Sequence, residues 1–188
     1  FTNENGDGNF TGPHLVDPDL DADCSISIGV ADINKDGLND VVVTENCDIG
    51  LRWYRNTGTG FSNILTINDD MPKLSDMVFD DIDADGFVDI LAEDSGDIIF
   101  LKHLNGNGSF ALPTIVEADL GIIRSIKTGK INSDPYPDLV IAVGSNPKHV
   151  GWKIGNGNGT FSPTNILLPD NDPHTIDIGD MDGDGDMD

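Results

Sequence analysis

One nine-residue pattern recurs along this chain at a nearly fixed interval, and a long-period repeat constrains the fold more than any single motif. It reads Asp32-Ile33-Asn34-Lys35-Asp36-Gly37-Leu38-Asn39-Asp40 and returns as Asp81-Ile82-Asp83-Ala84-Asp85-Gly86-Phe87-Val88-Asp89. A decayed copy runs from Lys130 to Asp138, and a last one from Asp180 to Asp188. Their first positions, 32, 81, 130 and 180, give a period of 49, 49 and 50 residues. A period of that size marks a repeat architecture, in which each unit buries its faces against its neighbours.

Carboxylates or amides at positions 1, 3, 5 and 9 with glycine at 6 gather hard oxygens around one point, which suits Ca²⁺ with its roughly six to eight oxygen ligands. In the first loop the predicted ligands are Asp32, Asn34, Asp36 and Asp40, with the Leu38 carbonyl from the backbone. In the second they are Asp81, Asp83, Asp85 and Asp89, with the Phe87 carbonyl. An EF-hand would need a Glu at position 12 and a following helix. Val43 or Ala92 stands there instead, inside runs that read as strand.

The third loop departs twice. Lys130 replaces the first carboxylate, and Pro135 fixes φ where glycine is required. No metal is expected there; the Lys130 charge or a plain solvated turn accounts for it. The fourth has the full set, Asp180, Asp182, Asp184, Asp188 and the Asp186 carbonyl, but lacks a following strand, so weak or absent binding is expected.

A second signal alternates with the first. Asn5-Gly6-Asp7-Gly8-Asn9-Phe10 recurs as Asn56 to Phe61, Asn105 to Phe110 and Asn156 to Phe161. Such turns demand positive φ, and the closing Phe is a natural core anchor. Between the signals each repeat holds four strand-like runs, for example Ile64–Ile67, Met77–Phe79, Ile90–Ala92 and Ile98–Leu101. No window keeps a helical period. The predicted fold is all-β: propeller blades of four antiparallel strands, in repeats 11–60, 61–109, 110–160 and an incomplete 161–188. Trp53 and Trp152 fall in the last run of their repeats and are expected to pack inside.

The charge of −24 repels phosphate backbones, so nucleic acid is not an expected partner. No run approaches the roughly 18 apolar residues of a membrane span. Cys24 and Cys47 flank the first loop almost symmetrically. They are expected to bridge, stabilising by about 3.4 kcal/mol and pointing to an oxidising compartment; two reduced buried thiols are the alternative.

The paired loops and turns resemble the FG-GAP/VCBS repeat family, which includes the propeller of integrin α chains. The resemblance implies structural calcium in the hairpin loops, on Asp32, Asn34, Asp36, Asp40, Asp81, Asp83, Asp85 and Asp89, and an extracellular setting. It also implies a ring of about seven blades, so three repeats and a half are expected to be a piece of a longer propeller or a chain that associates through open blade edges.

Three functions follow as expectations. The first is a secreted or cell-surface recognition module binding a glycan or a protein. The second is a propeller-based polysaccharide lyase or related sugar-processing enzyme; His14, His103, His149 and His174 are scattered, read as surface or turn residues, and nominate no acid–base pair. The third is a structural array without a ligand of its own.

Overall fold

The computed structural model describes residues 2–4, 9–11, 16, 25–45, 50–62, 64–68, 74–170, 172–183 and 187. Among these there is no helix, as the absence of a helical period requires. A short ladder joins β1 (Thr2–Glu4) to β2 (Asn9–Thr11). Twelve further strands form three antiparallel sheets of four.

The first sheet runs β3 (Ser25–Ala31), β4 (Asp40–Glu45), β5 (Gly50–Tyr54) and β6 (Leu65–Asn68). The second holds β7 (Leu74–Asp80), β8 (Asp89–Asp94), β9 (Asp97–Leu101) and β10 (Thr114–Glu117). The third holds β11 (Ile123–Gly129), β12 (Asp138–Val143), β13 (His149–Lys153) and β14 (Asn165–Pro169). Each sheet is an up-and-down meander, and β7 lies against both β3 and β11. These are the blades of a β-propeller, stacked side by side.

The sheets are offset from the sequence repeats. The strand that opens repeat 61–109 is β6, which closes the first sheet, and β10 closes the second in the same way. Trp53 and Trp152 therefore stand on the third strand of their sheets. A fourth strand adds outside each of them.

Side-chain alternation along the middle strands explains their continuous apolar runs. On β8 and β9, Ile90, Ala92, Ile99 and Leu101 join Val42, Leu51, Trp53 and Met77 in one core. The residues between them, Leu91, Ile98 and Phe100, turn the other way and join Ile126, Leu139 and Ile141. A sheet buried on both faces must be apolar on both, and each such side chain contributes about 1.5–3 kcal/mol on burial.

The turn glycines are set by this stacking. A Cβ on Gly108 would overlap the Trp53 ring of the preceding blade, and one on Gly159 would stand 2.6 Å from Phe100 Cε1. Trp53 and Phe100 hold the same register position, opposite Val42 and Leu91. The first two blades thus press the aromatic of their third strand onto the second glycine of the next blade's turn. Its first glycine, Gly58, Gly106 or Gly157, is covered by Leu38, Phe87 or Tyr136 from position 7 of its own acidic loop.

Candidate metal loops and the cleft between blades

The acidic loops connect the first and second strands of each blade, β3 to β4, β7 to β8 and β11 to β12. In the first two loops, positions 4 and 6 are both left-handed: Lys35 (φ 58) with Gly37 (φ 85), and Ala84 (φ 60) with Gly86 (φ 87). Only glycine adopts such φ freely. Pro135 and Ser133, at the same positions of the third loop, stay at negative φ, so that loop follows a different path.

The side chains curl back onto the loop they belong to. Asp32 Oδ2 accepts from Gly37 N–H at 2.8 Å, Asn34 Oδ1 from Asp36 N–H at 2.9 Å, and Asp36 Oδ1 from Leu38 N–H at 3.0 Å. Asp81, Asp83 and Asp85 accept from Gly86, Asp85 and Phe87 in the same order, at 2.9, 3.2 and 3.0 Å. These bonds hold the side chains over their own loop; Asp32 Oδ1 also accepts from Asp36 N–H at 3.0 Å.

Position 9 has a second duty. Asp40, Asp89 and Asp138 are fully buried. Asp40 accepts from Ile33 and Asn56, Asp89 from Ile82 and His103, and Asp138 from Ile131, Asn132 and Gly155. In every blade this carboxylate ties the start of its loop to the chain just past the third strand. The third loop keeps that tie without the acidic set. There Asn132 Nδ2 also donates to Asp138 at 3.3 Å.

The second loop gathers the fuller set of carboxylates. One carboxylate oxygen each from Asp81, Asp83 and Asp89 lies within 4.8 Å of the others. Asp81 Oδ1 is buried with no hydrogen-bond partner among the described residues, an orphaned acceptor facing a hard-oxygen donor set. Burial lifts the Asp89 carboxyl to about 7, with the Asp83 and Asp85 charges adding to the rise against the opposing N–H bonds from His103 and Ile82. A cation there would relieve the repulsion. The first loop has Asn34 at position 3 and one carboxylate fewer, with Arg55 Nη2 3.0 Å from Asp36 Oδ2. Bound Ca²⁺ would supply a fixed positive charge binding the two ends of each loop. Asp180 Oδ1 accepts from Gly183 at 2.7 Å in the fourth loop. Asp184, Asp186 and Asp188, like Cys24 and Cys47, lie outside the described residues.

The two loops stand at one end of neighbouring blades, where Lys35 Nζ sits 4.4 Å over the Phe87 ring. Beside them a cavity of about 370 Å³ opens at the blade junction. Asn34, Asp36 and Arg55 line it from the first blade, and Gly106 and Asn107 from the turn of the second, over an apolar floor of Trp53 and Leu65. Trp53 is 4% exposed, and its indole Nε1 has no partner among the described residues.

Two histidines read as surface or turn residues are instead buried. His103 is fully covered; its Nδ1 meets the Val88 carbonyl at 3.1 Å, its Nε2 accepts from Gly108 N–H at 3.2 Å, and Phe110 stacks on the ring at 4.5 Å. Burial lowers its pKa, so it sits neutral as a brace for the turn. His149 is buried with Nδ1 2.8 Å from the Pro147 carbonyl. Neither role shows in the sequence, because nothing in the spacing says that a turn residue faces inward.

Comparison with known proteins bears on this geometry. A family model described as an FG-GAP-like repeat matches residues 32–92 and 130–188, more than half of the chain. Both matched stretches begin at the first position of a loop copy, Asp32 and Lys130. No curated protein matches. Solved structures do, among them a lectin of Agrocybe aegerita described by its specific recognition of non-reducing terminal N-acetylglucosamine. The two share 18% identity over 76% of this chain at a TM-score of 0.58, a likeness of fold. This chain spans 38% of the length of that lectin.

Proposed function

Because the chain belongs to the family of FG-GAP-like repeat proteins, we propose that it serves as an extracellular β-propeller recognition module, stiffened by Ca²⁺ in its first two loops and binding a glycan. The observation that carries this reading is the cavity between the first two blades. Its volume falls in the range of small-ligand sites, about 300–1,000 Å³, and it joins an apolar floor to a few convergent polar groups. Sugars need that combination: charged and amide partners for their hydroxyls, and for their apolar ring face Leu65, which is 43% exposed, Trp53 being covered by Gly108.

Calcium acts at one remove. Asn34 and Asp36 belong both to the first loop and to the cavity wall, so a cation that orders the loop also places two groups of the site. At calcium levels about a hundredfold above Kd, each filled site stabilises the fold by about 2.7 kcal/mol. The lectin fold likeness agrees with a glycan ligand without specifying the sugar.

The test is a broad glycan array probed with the wild-type protein in calcium and in chelator, alongside Arg55→Ala and Asn107→Ala. Binding to one sugar class that needs calcium and weakens in both variants is expected. Silence from a protein shown to be folded overturns the glycan assignment and turns attention to a cell-surface protein ligand.

A further inference from the structure

The second loop is matched with a cation from its own chain. Lys102, the residue after β9, sets its ammonium against Asp83 Oδ2 and 2.6 Å from Asp85 Oδ2. Register fixes its counterparts: Leu101 pairs with Ile90, Tyr54 with Val41 and Lys153 with Leu139, so Arg55 and Ile154 hold the same place in the other blades. A basic side chain therefore stands here in both blades whose loops carry the acidic set. The blade with Pro135 at position 6 has an isoleucine.

The two basic residues engage their loops differently. Arg55 touches one oxygen of one predicted ligand, Asp36. Lys102 bridges two, and one of them, Asp83, belongs to the cluster with Asp81 and Asp89. An ammonium and Ca²⁺ sharing carboxylates repel each other at close range. The Lys102 side chain is 37% exposed on a flexible stem, so it has room to swing into solvent without disturbing the blade.

We infer that Lys102 is a placeholder cation for the second loop: it neutralises Asp83 and Asp85 while calcium is absent, and it has to release Asp83 when calcium enters. This rests on the calcium reading of the loops. It makes the second loop the weaker of the two sites despite its extra carboxylate, and it lets the blade stay assembled at low calcium.

The test is a calcium titration of the metal-stripped full chain by NMR, following the Gly37 and Gly86 amides. Each amide donates to the first Asp of its own loop, so the two report separately. In the wild type Gly37 is expected to saturate first. Lys102→Met is expected to tighten the Gly86 transition roughly tenfold or more and leave that of Gly37 within about twofold. Lys102→Arg, which keeps the charge, is expected to stay near wild type, and Lys102→Gln serves as a second charge-free variant should Met fail to fold. In the charge-free variants the metal-free melting temperature falls while its calcium-induced rise grows. A Gly86 transition that is unchanged or weaker in the charge-free variants, or that precedes Gly37 in the wild type, overturns the inference alone. An absence of response at both amides overturns the calcium reading with it.

Discussion

The backbone N–H of His103 donates to Asp89 Oδ1 at 2.7 Å, and the same bond recurs from Asn56 to Asp40 and from Gly155 to Asp138 at 2.7 and 2.9 Å. Position 9 of the loop is thus a buried clamp in all three blades, with or without the acidic set around it. Asp138→Ala strands the buried Gly155 donor and the part-buried donors of Ile131 and Asn132, and it is expected to cost about 2–4 kcal/mol. Because the third loop lacks the acidic set, the loss should be equal in calcium and in chelator by denaturant unfolding. A loss confined to calcium would contradict the clamp.

Packing of Trp53 on Gly108 makes a second prediction. Gly108 combines φ of +80° with a neighbour that leaves no room for a Cβ, whereas a Cβ on Gly60 meets nothing within 4 Å. Gly108→Ala is expected to destabilise by about 2–4 kcal/mol, and Gly60→Ala by less than about 1 kcal/mol. Equal effects in thermal unfolding would contradict aromatic-on-glycine stacking as the glue between blades.

Lys153 and Glu117, whose side chain is 26% exposed, pair the third blade with the last strand of the second, and Thr164 Oγ1 donates to the same Glu117 oxygen at 3.0 Å. Lys153 is 5% exposed. Glu117→Ala removes the carboxylate and leaves the buried ammonium with only the Thr164 hydroxyl, 3.1 Å away, at an expected cost of about 1–3 kcal/mol, while the double change to Lys153→Met with Glu117→Leu should be nearly neutral. Denaturant midpoints of the single and double variants check this.

Asp89 sets the expected pH response. Its folded pKa, about 7, lies above the ordinary carboxyl value, chiefly through burial. Between about pH 4 and 7 the native state therefore binds more protons than the unfolded chain, and this group's contribution is lost as pH rises through that window. Burial raises Asp80 as well, in the same direction. Calcium needs the ionised carboxylate, so the gap in melting temperature between calcium and chelator is expected to narrow from pH 7.5 to 5.5. A constant gap, or one that Asp89→Asn leaves untouched, would contradict it.

Much of the architecture was legible because the signals repeat. Glycine at position 6 and carboxylates at fixed spacing announce the loops of Asp32 and Asp81, and apolar runs such as Leu139–Val143 announce strands buried on both faces. The phase of the sheets was not legible. Whether Leu65–Asn68 opens one blade or closes another depends on which neighbour it pairs with, and a strand's composition does not record that. The inward turn of His103 and the place of Lys102 over Asp83 were hidden for a similar reason, since both arise from register across strands. The cleft beside Trp53 belongs to two blades at once, and no single repeat contains it.

If calcium holds these loops, the melting temperature of the metal-stripped protein has to respond to millimolar calcium. A rise of several degrees is expected in the wild type, consistent with about 2.7 kcal/mol per filled site, and its loss when Asp32→Ala and Asp81→Ala are combined. A wild-type melting temperature indifferent to calcium, or a rise that survives both substitutions, would contradict the account.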